Sequence, residues 1–151
     1  MAKETRAVVV DTFALIADLT GQAPQEAVRI LDGVRVGRIE GVIHYLIVYE
    51  LAYHWRRGRL PFRGEDELLE FINTYFNVKP LDAATAVEAS RLKILGDELL
   101  EASGDPGLKR RRLSITDATT IALARKLRAP ILTGDTDLSY VAQRLGVNVL
   151  W

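Results

Sequence analysis

Two short apolar runs, each leading to an aspartate, limit most strongly what this chain can fold into. The first is residues 7–10, followed directly by Asp11, and the second is residues 129–133, followed by Gly134 and Asp135. Continuous β-branched runs of this length are typical of strands buried on both faces, as in parallel sheets. Because helix-like segments lie between such runs, the chain is predicted to form βαβ units. This is an α/β fold, a three-layer α/β/α sandwich with a central, mainly parallel sheet.

Apolar periodicity and turn residues predict the other elements, and the length of 151 residues suits one domain, 1–151. Further strands are predicted at residues 41–43, 76–80 and 147–150, and helices at residues 13–19, 25–36, 46–57, 65–75, 83–102, 114–127 and 138–145. Residues 103–107 are predicted to be a loop. Ligands of such sheets bind beyond the carboxyl ends of the strands, so residues that directly follow strands are the first candidates for a site.

Composition excludes several classes of protein. The absence of cysteine removes disulfide scaffolds, thiolate zinc sites and cysteine nucleophiles. The longest charge-free run, residues 41–49, is far shorter than the ~18–20 residues that a membrane span needs. Residues 1–6 lack the apolar stretch of a secretory signal, so we expect a cytoplasmic protein without a membrane partner. Twenty basic and twenty acidic side chains give zero net charge, which argues against binding nucleic acid through overall basicity.

Asp11 and Asp135 should both lie at the carboxyl edge of the sheet, because each follows a predicted strand. Two carboxylates that converge there repel each other unless a cation or a proton separates them. The alternative is helix capping, in which each aspartate accepts backbone N–H bonds at the start of a helix without any further function. The sequence leaves both interpretations open.

Three further acidic residues are candidates for the same edge. Glu50 lies on a mostly apolar and aromatic helix face, where a carboxylate must be paired, protonated or bound to metal, unless it reaches solvent at the edge of that face. Asp117 stands three residues after Ser114, the spacing of a capping box, and capping is compatible with a place in the site. Asp137 either caps the next helix or supports the site, and we favour the second.

Together, four carboxylates from four separate elements would supply only oxygen ligands: Asp11, Glu50, Asp117 and Asp135. Such a set suits a hard cation, Mg²⁺ or Mn²⁺, whereas zinc would favour histidine or cysteine. Sites of this type activate water and stabilise charge at a scissile phosphate, so no side chain has to act as the nucleophile. If metal neutralises the four carboxylates, the remaining formal charge is +4.

Four segments resemble the four motifs of PIN domains, in the same order along the chain. They are residues 8–12 (VVVDT), 49–52 (YELA), 113–118 (LSITDA) and 131–138 (ILTGDTDL). The resemblance extends from Val8 to Leu150 and is greatest to the small VapC toxins of toxin–antitoxin pairs. There are two departures: Phe13 stands where a hydroxyl residue is often found, and Leu138 replaces a common aromatic residue.

The resemblance implies a five-stranded sheet of order 3-2-1-4-5 and a Mg²⁺- or Mn²⁺-dependent endoribonuclease that cuts single-stranded or loop RNA. It further implies a homodimer that a cognate antitoxin protein silences. The implied metal ligands and catalytic residues are Asp11, Glu50, Asp117 and Asp135, with Thr12, Ser114, Thr133 and Asp137 in supporting roles.

Arginines are concentrated in two short segments, residues 56–63 and 109–112. These segments are either solvated loops or contacts to a phosphate backbone beside the acidic site. The candidate RNA contacts are Arg56, Arg57, Arg59, Arg110, Arg111 and Arg112.

The nearby aromatic residues either stack RNA bases or, as their helical spacing favours, lie in the core or a dimer interface. They are Tyr45, Tyr49, Tyr53 and Trp55. His44 and His54 are not spaced as a metal-ligand pair, and the sequence assigns them no role.

Two other functions compete with the nuclease. One is another Mg²⁺-dependent phosphohydrolase on a doubly wound sheet, although a haloacid-type phosphatase would need Asp-x-Asp where the chain has Asp11-Thr12-Phe13. The other is a catalytically weak RNA- or protein-binding module that keeps the PIN fold. Such a module would bind its partner equally well after Asp11→Asn, whereas a nuclease with that substitution would lose cleavage and keep its fold.

Overall fold

The computed structural model describes residues 6–151. The five preceding residues, on which the expected absence of a secretory signal largely depends, lie outside this range. The described strands are β1 (Ala7–Val10), β2 (Glu40–His44), β3 (Phe76–Lys79), β4 (Ile131–Leu132) and β5 (Val149–Leu150). The described helices are α1 (Thr12–Leu19), α2 (Gln25–Arg35), α3 (Tyr45–Arg56), α4 (Glu65–Tyr75), α5 (Ala83–Glu101), α6 (Pro106–Lys109), α7 (Ile115–Leu127) and α8 (Thr136–Arg144).

The five strands form one sheet in the order β3-β2-β1-β4-β5, and every neighbouring pair is parallel. This confirms the predicted fold class and strand order. Strand β1 is central, with Val9 opposite Val42 of β2 on one side and opposite Ile131 of β4 on the other. The carboxyl ends of β1 and β4 therefore lie side by side, which places the residues after them at one edge of the sheet.

Two apolar cores cover the two faces of the sheet, because residues of β1 alternate between them. Val8 and Val10 pack with α1 to α4, whereas Val9 packs with α5, α7 and α8. All three valines are fully buried. This explains why the strand sequence is uniformly apolar and does not alternate with polar residues.

Helix α5, the longest at 19 residues, packs along α7. Its Gly96 lets α5 approach Leu113, which precedes α7, and Val141 of α8, since a Cβ there would come within 3.3 Å of both. The described part of the chain contains no helix that is both long enough and apolar enough to cross a membrane. The packing of α5 fixes α7, whose first turn carries Asp117.

Some predicted boundaries are wrong for local reasons. Helix α8 begins at Thr136 and not at residue 138, because Asp135 caps it. The predicted loop 103–107 overlaps a short helix that begins at Pro106, a residue preorganised for a first helical turn. Strands β4 and β5 are two residues long each, shorter than predicted, because they pair with each other only at Ile131 with Val149 and at Leu132 with Leu150.

Candidate metal centre

Asp11 occupies the junction between β1 and α1 and is 97% buried, with 3% of its surface exposed. The backbone N–H of Phe13 donates to its Oδ2 at 3.4 Å, so the carboxylate caps α1 as predicted. The hydroxyl of Thr133 donates to the same oxygen at 2.8 Å, across 122 residues of sequence. Capping thus accounts for part of the bonding of Asp11, and a contact from the far end of the chain accounts for the rest.

Thr133 links the two aspartates that follow strands. Its hydroxyl donates to Asp11 and accepts the backbone N–H of Asp135 at 3.1 Å. Asp135 in turn caps α8, with Oδ1 accepting the N–H groups of Asp137 at 2.9 Å and Leu138 at 3.4 Å. The two strand ends are therefore connected through one buried hydroxyl.

Asp117 reaches the same place from the first turn of α7. Ser114 caps this helix by accepting the N–H of Asp117 at 3.0 Å, which is the bond that the capping-box spacing predicts. One carboxylate oxygen each from Asp11, Asp117 and Asp135 lies within 4.8 Å of the other two. The structure thus gathers three carboxylates from β1, β4 and α7 at one point.

Glu50 lies beside this group without being part of it. Its Oε1 accepts the hydroxyl of Thr12 at 2.6 Å, which ties α3 to the start of α1. Its negative charge nevertheless contributes to the pKa values of Asp11 and Asp117. Glu50 as a metal ligand stays a prediction.

Burial disfavours the ionised forms of Asp11 and Asp117 in the folded chain. Burial is the largest influence that raises the pKa of Asp11, to about 6, against the opposing hydrogen bond from Thr133. The pKa of Asp117 is raised to about 8, first by burial and then by the charges of Asp11 and Asp135. A bound cation would relieve this repulsion, because it favours the ionised carboxylates.

The donor set fits a hard divalent cation. The three converging side chains offer carboxylate oxygens, the ligands that Mg²⁺ and Mn²⁺ prefer. Neither histidine belongs to the group of three. The chain also lacks cysteine, so soft ligands are absent.

Asp137 lies in the first turn of α8, two residues after Asp135, and is 8% exposed. Burial first, and then the charge of Asp135, raises its pKa, while Arg111 lowers it. The guanidinium of Arg111 approaches Asp137 Oδ2 at 3.4 Å. Among the described residues, nothing donates to the other oxygen, Oδ1.

The six predicted RNA-contact arginines are all exposed, but they lie in different surroundings. Arg56 pairs with Glu65 at 3.0 Å, and Arg59 contacts His54 at 2.9 Å, both around the end of α3. Of the three in the second segment, Arg111 is the one that contacts a residue of the site. RNA contact by all six, including Arg57, Arg110 and Arg112, stays a prediction.

The structure revises the interpretation of the aromatic residues and of His44. Tyr45, Tyr49 and Tyr53 are 55%, 67% and 49% exposed and so do not lie in the core, whereas Trp55 packs against it. For the three tyrosines, RNA stacking and a dimer interface both stay predictions. His44 is fully buried and caps α3 by accepting the N–H of Leu46 at 3.2 Å. Sequence reasoning missed this cap because histidine is not among the usual capping residues.

A model of the PIN domain family matches residues 8–144. The chain belongs to the PIN domain family. The match includes all four motif segments and the three converging aspartates, so the predicted family is confirmed. PIN domains are generally nucleases and typically use divalent metals. Among curated proteins, none matches the chain.

Several solved PIN-fold structures resemble this PIN domain in fold. VapBC2 from Rickettsia felis, solved bound to a DNA fragment from its promoter, has a TM-score of 0.62 at 12% identity and covers 95% of this chain and 97% of its own. VapC20 from Mycobacterium tuberculosis, a toxin that cleaves the sarcin–ricin loop, has a TM-score of 0.61 at 19% identity, with 87% and 92% covered. FitAcB from Neisseria gonorrhoeae has a TM-score of 0.59 at 15% identity, with 95% and 96% covered.

Proposed function

We propose that this PIN domain is an endoribonuclease that depends on Mg²⁺ or Mn²⁺ and hydrolyses phosphodiester bonds of single-stranded or loop RNA. The observation that carries the proposal is the convergence of three carboxylates within 4.8 Å, from Asp11, Asp117 and Asp135. The raised pKa values of Asp11 and Asp117 indicate that their carboxylates lack a stabilising positive charge when no cation is bound. Fold likeness to VapC20, a toxin that cleaves the sarcin–ricin loop, supports RNA as the substrate class.

The metal would be held by Asp11, Asp117 and Asp135, with Glu50 as a fourth candidate ligand. When bound, it would lower the pKa of water and stabilise negative charge on the scissile phosphate. The protein's own contribution is positional. Thr133 orients Asp11 and the backbone of Asp135, while Ser114 fixes the first turn of α7 beneath Asp117. Thr12 holds Glu50 beside them.

We further propose that the protein is the toxin of a toxin–antitoxin pair, acts in the cytoplasm and forms a homodimer. Fold likeness to VapBC2 and FitAcB supports a protein partner that silences the site. Light scattering tests the dimer, and a monomer at working concentrations would contradict it. Co-purification with the product of an adjacent reading frame, followed by loss of cleavage in the complex, tests the antitoxin.

The decisive experiment is cleavage of a mixed RNA pool with Mg²⁺, with Mn²⁺ and with EDTA, followed by mapping of the cut ends. Wild type should cut only with metal, while Asp11→Asn and Asp117→Asn should be inactive and folded. Asp32→Asn is the matched control, because Asp32 is 61% exposed and pairs only with Arg35 on α2. Cutting in EDTA, or site variants as active as Asp32→Asn, would overturn the mechanism.

The same preparations separate the competing functions. A catalytically weak binding module would retain RNA in a filter-binding assay, with equal affinity for wild type and Asp11→Asn, and would give no cut ends. A different phosphohydrolase would leave RNA intact and release phosphate from a small phosphomonoester. The nuclease proposal expects cut RNA and no such release.

A further inference from the structure

A cavity of about 630 Å³ opens directly beside the carboxylate cluster. Thr133 and Gly134, which precede Asp135, form part of its wall, and Trp151 follows β5 at the same edge of the sheet. Arg111, Asp137 and Tyr140 also line it. Its size is within the range of small-ligand sites, roughly 300–1,000 Å³. Because Thr133 also donates to Asp11, the cavity and the proposed metal centre share one wall.

The indole of Trp151 is held against the loop that carries Asp135. A Cβ at position 134 would clash with this ring and with Phe13, so only glycine lets both rings lie against the backbone there. The Phe13 ring meets Trp151 edge-on, with centroids 5.5 Å apart at 71°. Trp151 is still 38% exposed, so part of its surface remains available at the cavity. It is a fixed aromatic surface and not a loose side chain.

Polar groups complete the cavity. The side chain of Arg111 is 64% exposed, and its one ion pair with a described residue is a long contact of 3.4 Å with Asp137. This leaves its guanidinium able to turn toward a phosphate. The Oδ1 of Asp137 has no donor among the described residues, but it is itself buried and is therefore not presented to the cavity. The ligand-facing features are a flat aromatic wall and an arginine at the rim, a combination that binds a nucleotide with its base unstacked.

We propose that this cavity holds one nucleobase of the RNA, the one adjacent to the scissile phosphate, with the base against Trp151 and its phosphate near Arg111. This inference rests on the proposed ribonuclease function and adds a substrate-positioning subsite to it. The subsite requires a base free of pairing partners. It therefore gives this chain its own physical reason to prefer single strands and loops over duplexes.

The sequence supplies a convenient reporter, because Trp55 and Trp151 are its two tryptophans. Trp55→Phe leaves Trp151 as the only indole, and Trp151→Phe leaves Trp55, whose Nε1 donates to Phe62 O at 2.8 Å in the other core. Both would be prepared with Asp11→Asn to prevent cleavage. The probe is a mixed-sequence single-stranded RNA of ten nucleotides, with a duplex of the same length as control.

The single strand should quench the fluorescence of the Trp151 reporter, and the duplex should not. The Trp55 reporter, whose ring lies under Arg56, reports separately on RNA contact at the end of α3. In fluorescence anisotropy, Trp151→Ala should bind the single strand roughly tenfold more weakly, and Trp151→Phe should retain most of the affinity. Arg111→Gln, an exposed change that leaves the aromatic wall intact, should weaken binding severalfold and is the second variant if Trp151→Ala does not fold.

Bound RNA without a Trp151 response, a response confined to the Trp55 reporter, or full affinity in Trp151→Ala would each overturn the subsite. So would a complete lack of RNA binding. Cleavage by wild type without a Trp151 response would remove the subsite and leave the nuclease. A Trp151 response without cleavage by wild type would remove the nuclease and leave the subsite.

Discussion

Asp11 and His44 occupy equivalent positions in the fold, yet their surroundings differ in kind. Each stands at the end of a central strand, and each caps the next helix by accepting the N–H two residues on. Both are almost completely buried. Asp11 lies beside two other carboxylates, whose negative charge disfavours its ionised form. His44 lies in a neutral network in which both ring nitrogens have hydrogen-bond partners.

The His44 network is complete without any ligand. Because Nδ1 accepts the N–H of Leu46, the proton lies on Nε2, which donates to Thr120 Oγ1 at 2.9 Å. Thr120 then donates to the carbonyl of Thr116 at 2.9 Å. Burial lowers the pKa of His44 to about 4, so the ring is neutral at physiological pH. Helix capping alone therefore does not distinguish a structural residue from a functional one. The distinction is that Asp11 has negatively charged neighbours, whereas the partners of His44 are neutral.

The largest expected effect follows from removing one charge of the cluster while keeping the cap. Asn caps a helix about as well as Asp, so Asp135→Asn should change the free energy of unfolding by less than about 0.5 kcal/mol. Cleavage should fall by at least about a hundredfold, because one metal ligand loses its charge. Urea unfolding and single-turnover cleavage measure the two quantities. Retention of more than a tenth of the activity would show that Asp135 is only a cap.

The neutral network should show the opposite behaviour. His44→Ala should lower the free energy of unfolding by about 2–4 kcal/mol, because it leaves a cavity and an uncapped N–H. Cleavage per folded molecule should stay within about tenfold of wild type, since His44 does not touch the cluster. Thr120→Val, which removes only one link, should cost about 1 kcal/mol. A stable but inactive His44→Ala protein would contradict the distinction between the two regions.

The two regions should also give opposite pH dependence of stability without metal. The pKa of His44 is lower in the folded chain than in the unfolded chain. The stabilising contribution of neutral His44 to the free energy of unfolding is therefore lost as pH falls from 6.5 toward 4. Raised pKa values mean that the contribution of protonated Asp11 and Asp117 is lost as pH rises through about 6 and about 8.

In EDTA, the free energy of unfolding should therefore fall by roughly 1–2 kcal/mol between pH 6.5 and 8.5. Thermal melts at a series of pH values measure this effect. Mg²⁺ or Mn²⁺ should reverse the fall, and Asp117→Asn should flatten it. A metal-free protein that becomes more stable over the same range would contradict the assignment of a repulsive cluster.

The smallest effect concerns Thr133, the hydroxyl that links the two aspartates. Its hydrogen bond lowers the pKa of Asp11, so Thr133→Val should move the acid limb of the pH–rate profile to higher pH. At neutral pH, cleavage should drop by about three- to tenfold. Thr133→Ser keeps the hydroxyl and is the matched control. An unshifted profile in Thr133→Val would mean that the bond only supports the fold.

Much of the fold could be predicted because its determinants are local. The apolar run before Asp11 specifies a strand buried on both sides, and Ser114 three residues before Asp117 specifies a helix start. The structure has both. Local patterns were less informative where chemistry was unusual for the position. A histidine cap at residue 44 gave no strong signal, and the helix start at Pro106 lies among turn residues that also predict a loop.

The candidate site was only partly within reach of the sequence. Carboxylates that follow strands could be assigned to one edge, because all strands of a parallel sheet point the same way. The distances between these carboxylates could not be predicted from the sequence. In the structure, Asp11, Asp117 and Asp135 converge, whereas Glu50 bonds to Thr12 beside them. The exposure of Tyr45, Tyr49 and Tyr53 was likewise hidden, since helical spacing describes a shared face without saying what covers it.

By itself, the sequence determined the alternation of strands and helices, the start of α7 at Ser114 and the oxygen-only chemistry of the site. These follow from interactions between residues a few positions apart, or from side-chain type alone. Only the tertiary structure decided that Thr133 joins Asp11 across 122 residues and that Trp151 lies on Gly134 beside the cluster. Contacts of this kind depend on how distant segments pack, and that packing depends on all residues of the core together.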